Sequence, residues 1–184
     1  MTPEKIKEVQ ARSTCLHDAE EVELALDKMA AEISAELAHK NPLLICIMHG
    51  GLITSGKLAT RLRFPLQMDY LHATRYRGAT SGKDLQWKAF PLESLRGRTV
   101  LLVDDILDVG TTLKLIIDYC KEQGSEAVYT AVLLDKQHDR KEAEIKADFV
   151  GLEVADHYLY GYGMDYKGYL RNADGIFAIA QQDM

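Results

Sequence analysis

The chain has 184 residues, enough to bury a sizeable apolar core without disulfide or metal staples. It is 47% hydrophobic and 27% charged, as an ordinary folded domain is, which excludes disordered and fibrous classes. A formal net charge of −6 weighs against nucleic-acid binding, which rests on basic surface. Cys15, Cys46 and Cys120 are odd in number and far apart, as free thiols of a reducing cytoplasm are. The six histidines show no metal-ligand spacing. The N-terminus lacks the apolar core of a signal peptide, and the run Leu43–Met48 is too short to cross a bilayer.

Val22, Leu26, Met29, Ile33 and Leu37 recur at steps of three and four, which predicts a helix from Asp18 to about Ala38. Asp18 or a neighbour is its N-cap, Glu20, Glu21 and Glu23 suit its positive end, and Asn41-Pro42 stops it. Leu43–Met48 reads as a strand buried on both faces, as in a parallel sheet covered by helices. His49-Gly50-Gly51 turns into a short helix over Leu52–Leu62, and a second strand runs from about Leu66 to His72. Thr74–Lys88 is polar, carries two glycines and keeps no period, which predicts a long loop or mobile hairpin. Thr99–Val103 is another buried strand, followed by a turn over Asp104–Thr112. An amphipathic helix then runs from Leu113 to about Gln123, with Gly124 at its C′ position. Strands over Glu126–Leu134 and Asp148–Leu152 complete an α/β alternation with a mainly parallel sheet. From Gly151 the chain turns aromatic and glycine-rich and ends on the apolar run Ile176–Ala180, a small lobe over the sheet edge.

The stretch from Val100 to Thr112, VLLVDDILDVGTT, carries the chemistry. A buried strand ends in the adjacent carboxylates Asp104 and Asp105, Asp108 follows, and Gly110-Thr111-Thr112 opens a helix. Ligands of open α/β sheets bind beyond the C-terminal ends of the strands. A Gly-Thr-Thr helix start offers N–H groups, hydroxyls and a positive dipole end, which suit a phosphate. Carboxylates there would repel a phosphate unless they hold a metal ion or sugar hydroxyls, so the combination points to a sugar phosphate. The plain alternative is a strand–turn–helix with Asp108 as its cap and the other acids solvated.

VDDILDVGTT resembles the diphosphate-sugar signature of type I phosphoribosyltransferases, and closely that of their hypoxanthine-guanine branch; the likeness runs from about Leu43 to Ile179. It implies an α/β fold with a mainly parallel sheet of about five strands flanked by helices, under a small hood from both termini. One domain would then span 1–184, with its core at about 40–152 and its hood at about 1–16 and 153–184. The implied reaction joins N9 of a 6-oxopurine, hypoxanthine or guanine, to 5-phosphoribosyl-1-pyrophosphate, giving IMP or GMP and pyrophosphate. The resemblance further implies Mg2+ as cofactor, a cytoplasmic location and a homodimer or homotetramer, with no nucleic-acid or membrane partner.

By the same resemblance, Asp104 and Asp105 hold the ribose hydroxyls directly or through metal, Asp104 being one methylene shorter than the Glu often found there. Asp108 is the general base at purine N7, and Val109, Gly110, Thr111 and Thr112 form the 5′-phosphate loop. Val109 replaces the usual Thr or Ser, losing a hydroxyl contact of about 1 kcal/mol. Met48-His49-Gly50-Gly51 matches the pyrophosphate loop, often with a cis peptide before the His49 position, where Lys is common. Arg75 and Tyr76 stand where a Ser-Tyr pair is usual, on a mobile lid that keeps water from the transition state. Lys136 donates to the purine O6, Tyr158 stacks on the ring and the Leu159 backbone reads its edge. Asp165, beside the purine, binds a second magnesium, so Asp104, Asp105 and Asp165 are the metal candidates; Arg171 contacts pyrophosphate. Ala155 stands where a proline is common. Lys136 disfavours adenine, whereas xanthine stays open. So does an RNA-binding regulator on the same fold, which the acidic charge and the three carboxylates disfavour.

Overall fold

The computed structural model of the protein describes residues 1–75, 85–141 and 145–184. Helix α1 (Pro3–Arg12) and strand β1 (Thr14–His17) precede α2 (Ala19–Leu37). Asp18 caps α2 reciprocally: its carboxylate accepts the Glu21 N–H at 3.0 Å, and the Glu21 carboxylate accepts the Asp18 N–H at 3.1 Å. Strand β2 (Leu43–Ile47), α3 (Gly51–Ala59), β3 (Gln67–Arg75), β4 (Leu85–Ala89), β5 (Thr99–Leu107), α4 (Thr111–Glu122), β6 (Ala127–Gln137) and β7 (Phe149–Ala155) follow in that order. They build one sheet ordered β4-β3-β2-β5-β6-β7, in which the five strands from β3 to β7 are parallel and β4 is an antiparallel edge.

Alternation along the strands divides the core in two. Leu44, Leu101, Val103 and Leu133 pack with the α2 face of Val22, Leu26, Met29, Ile33 and Leu37. Leu43, Ile45, Val100 and Leu102 face the other way, toward Leu113, Ile116 and Cys120 of α4. Gly124, at φ +84°, ends α4 as expected.

Two elements, β5 and α1, differ from the sequence-based expectation. Strand β5 continues past Val103 to Leu107, because β6 runs alongside it and pairs Asp104 with Val132, Ile106 with Leu134 and Leu107 with Asp135. The expected turn over Asp104–Thr112 therefore shrinks to the residues between Leu107 and Thr111. Of the two forms expected for Thr74–Lys88, loop or hairpin, the ends take the second: β3 reaches Arg75, and β4 pairs back on it antiparallel as Trp87 packs against Phe90 and Tyr119, with ring centroids 4.7 and 4.6 Å away. Tyr76 and the centre of the expected lid lie outside the described residues. No element is predicted for the first residues, yet α1 forms there and buries Ile6 and Val9 against Tyr160, Tyr166, Leu170 and Ile179.

β1 joins β8 (Leu159–Tyr160) and β9 (Ile176–Ala178) in a small antiparallel sheet built from the two ends of the chain. Arg12 closes it on the C-terminus with a two-pronged bond to Asp183, at 2.9 and 2.7 Å. Glu23 of α2 ties this end to the core. Its carboxylate accepts from Lys57 of α3, from Arg61 just after that helix, and from the Tyr162 hydroxyl at 2.7 Å. Partial burial pushes the Glu23 carboxyl up, but the hydrogen bonds from Lys57, Tyr162 and Arg61 outweigh it and bring it down to about 2. A depressed carboxyl contributes stability that is complete above its ordinary value near 4.5 and lost as pH falls through about 2. About a third of the cluster is exposed, so its worth is discounted to about 1 kcal/mol. We expect Glu23→Gln to lower Tm by about 2–4 °C at pH 7. Calorimetry should show the gap from wild type closing as pH falls from 4.5 toward 2.

Candidate functional site

At the C-terminal ends of β2 and β5, three backbone segments close on one another. A Cβ on Gly50 would lie 2.2 Å from Asp105 Oδ2, and one on Gly163 would lie 2.0 Å from the Gly50 carbonyl oxygen. Only glycine allows this approach, and at Gly163 the φ of +111° demands it as well. Between them lies the carboxylate pair Asp104–Asp105, in the C-terminal half of β5. Asp105 is buried and Asp104 half-buried, and the Asp105 N–H donates to Asp104 Oδ1 at 2.9 Å. Burial raises both carboxyls, Asp104 well above its usual range because the Asp105 charge adds to the effect; the charge of Arg171 opposes it. Two crowded carboxylates of this kind are a donor set for a hard cation or for sugar hydroxyls.

The pair stands between two adjoining clefts. One, of about 210 Å³, is lined by the chain from Asp104 through Gly110 and by Thr112 and Leu113. Gly110 turns at φ +94° to open α4, so Val109, Gly110 and Thr112 line the helix N-terminus, with Thr111 as its first residue. The other cleft, of about 200 Å³, is lined by Asp105, Ile106, Asp108, Lys136, Tyr158, Leu159, Met164 and Asp165. Lys136 is buried at the end of β6, with its Nζ 3.3 Å from Asp156 and 3.6 Å from Asp108. Tyr158 is 37% exposed, its ring propped against Tyr166 at 5.7 Å, and Leu159 is buried in β8.

His49 lies beyond this pair of clefts, exposed and edge-on to His72 at 4.4 Å, after a cis Met48–His49 peptide. Burial, aided by His49 and Lys88, lowers the His72 pKa. Arg171 donates to the Gly163 carbonyl and to Asp165, whose other oxygen accepts the Gly168 N–H at 2.7 Å. Arg75 ends β3, its backbone paired with Leu85.

A phosphoribosyl transferase domain profile matches residues 13–167. The hypoxanthine-guanine phosphoribosyltransferase of Streptococcus pneumoniae is 33% identical over 167 residues, 90% of this chain and 91% of that protein. That of Bacillus subtilis is 34% identical over 160 residues, covering 83% and 85%. The chain belongs to the hypoxanthine-guanine phosphoribosyltransferase family. A crystal structure of a hypoxanthine phosphoribosyltransferase from Staphylococcus aureus superposes with a TM-score of 0.88 at 25% identity, covering 99% of this chain and 97% of the other.

Within this candidate site, one group of residues has no motif of its own in the sequence. Asp108 Oδ1 lies 2.6 Å from His138 Nε2 and 3.9 Å from Arg140, and Arg140 in turn bonds Asp156 at 2.6 Å. The signal that finds His138 is its spacing: it follows Lys136 by two residues, one past the end of β6, and both side chains reach Asp108. Ile106 and Met164 form apolar walls of the cleft. Among the described residues, the carboxylate and imidazole atoms that gather within 4.8 Å are those of Asp108, His138 and Asp156, rather than Asp104, Asp105 and Asp165. Lys136 and Arg140 already balance that group, which makes it an ion-pair network. No helix among the described residues is long and apolar enough to cross a membrane.

Proposed function

We propose that this chain is a purine-salvage enzyme that transfers the 5-phosphoribosyl group from 5-phosphoribosyl-1-pyrophosphate to N9 of hypoxanthine or guanine. The observation that carries the reading is the pair of clefts meeting at Asp105, Ile106 and Asp108. One cleft ends on a helix N-terminus that suits the 5′-phosphate; the other holds a ring platform, Tyr158, and a buried cation, Lys136. Sugar carbon C1′ then falls between them, beside the carboxylates.

Asp104 and Asp105 take the ribose hydroxyls and balance positive charge as it grows on the sugar. Arg171 and the backbone of Gly50 and Gly51 stand on the side of the leaving pyrophosphate. Lys136 donates to O6 and Tyr158 stacks on the purine, which aligns N9 with C1′. The Leu159 backbone reads the purine edge, and Asp108 takes the proton from N7.

Mg2+ fits the Asp104–Asp105 end, where burial disfavours two bare charges and the donors are all oxygen. Asp165 can keep Arg171 and still ligate, since carboxylate oxygens carry spare lone pairs. When bound, the ion neutralises the pyrophosphate as it leaves. Exposed Met68 and Tyr70, neighbours on one face of β3, support a homodimer or homotetramer.

Turnover against hypoxanthine, guanine, xanthine, adenine and uracil is the test. Hypoxanthine and guanine should react, in the presence of magnesium and not in EDTA, with activity restored by added magnesium. Rapid turnover of adenine alone, or full activity in EDTA, would overturn the base assignment or the metal assignment respectively.

A further inference from the structure

We propose that His138 is a positioning residue for Asp108, holding one carboxylate oxygen so that the other is presented to the purine. The proposal rests on the function given above, with Asp108 as the base. His138 Nε2 lies 2.6 Å from Asp108 Oδ1, and its side chain is only 5% exposed. The other ring nitrogen, Nδ1, accepts the backbone N–H of Arg140 at 3.1 Å. A ring nitrogen that accepts carries no proton, so the neutral imidazole has its proton on Nε2, facing Asp108. The Arg140 N–H thus fixes the tautomer, and the tautomer makes His138 a donor to the carboxylate.

The rest of the network leaves this donor as the member that sets Asp108's orientation. Lys136 Nζ stands 3.6 Å from Oδ2, and Arg140 3.9 Å from Oδ1, both outside hydrogen-bonding range. Each is also committed to Asp156, at 3.3 and 2.6 Å. Asp135 and Gln137, which flank Lys136 in β6, bond each other at 3.1 Å, and Asp135 also binds Lys141. Without the His138 donor, the Asp108 carboxylate is free to swing onto Lys136 and Arg140. That movement would take the base away from N7 and draw the lysine from O6, while leaving the phosphate turn at Gly110–Thr112 untouched.

The test compares His138→Leu with His138→Gln, whose amide Nε2–H can occupy the place of the ring donor. The leucine variant should lose about tenfold in kcat, the scale of a hydrogen bond to a charged group, with KM for 5-phosphoribosyl-1-pyrophosphate nearly unchanged. The glutamine variant should recover most of that loss. In an Asp108→Asn background, His138→Leu should cost little more, because there is no base left to orient. Unchanged kcat in His138→Leu, failure of glutamine to rescue, or multiplicative losses in the double variant would each overturn the proposal. The 15N spectrum of the wild-type imidazole decides it without mutation: a proton on Nε2 is expected, and a neutral ring protonated on Nδ1 sinks the idea. A wild type inert toward all five bases would instead sink the proposed function, while the spectrum would still report on the His138–Asp108 bond.

Discussion

Asp108→Asn should keep the fold and the affinity for both substrates and lose about 10²–10⁴-fold in kcat. Asparagine is nearly isosteric, and its carbonyl oxygen can still accept the His138 Nε2–H that Asp108 accepts at 2.6 Å. What it removes is the negative charge and the capacity to take a proton. Lys136 and Arg140 keep Asp156 as a partner, so neither is left as an unpaired charge. Alanine at the same position would be a poorer test, because it would leave the enclosed His138 donor without an acceptor. Steady-state kinetics at saturating donor and purine read the effect. Wild-type kcat in Asp108→Asn across neutral pH would remove Asp108 as base, and would leave the sugar-phosphate site standing on Asp104, Asp105 and the α4 N-terminus.

Much of this site is local in the chain, which is why the sequence shows it. The apolar run Thr99–Val103, the acids after it and Gly110-Thr111-Thr112 are contiguous, and a strand, a turn and a helix start each leave their own residue signature. The capped helix α2 and the glycine ending α4 are legible for the same reason. What escapes depends on partners distant in sequence. Strand β4 has its own alternation, but Trp87 becomes a packing anchor only once α4 brings Tyr119 beside it. The length of β5 is set by β6, and α1 holds because Tyr160, Tyr166 and Leu170 return from the far end of the chain. The bond from Arg171 to Asp165 crosses a segment with Lys167, Gly168 and Leu170 all at positive φ, a path that no periodicity encodes.

Lys136→Ala should raise KM for hypoxanthine and guanine about ten- to a hundredfold, with a smaller effect on the phosphoribosyl donor. A charge-assisted hydrogen bond to O6 is worth about 1.5–3 kcal/mol, which sets that range. Burial makes Lys136 a stronger donor than a solvated lysine, since little water competes for its ammonium. The ammonium shares Asp108 and Asp156, so its removal also leaves Asp108 with one cation fewer, and a modest fall in kcat should accompany the change in KM. Tyr158→Leu should weaken purine binding too, because it keeps apolar area but loses the ring propped on Tyr166. Tyr158→Phe should change little, since the face of the ring carries the contact and not the hydroxyl. Adenine should be a poor substrate of the wild type, as its 6-amino group would meet the lysine donor to donor. Unchanged purine KM values in Lys136→Ala, or a wild type that prefers adenine, would refute the 6-oxopurine assignment. The transfer of phosphoribosyl groups would survive that result, because Asp104 and the phosphate turn line the neighbouring cleft, which Lys136 does not enter, and Asp105 is shared by both.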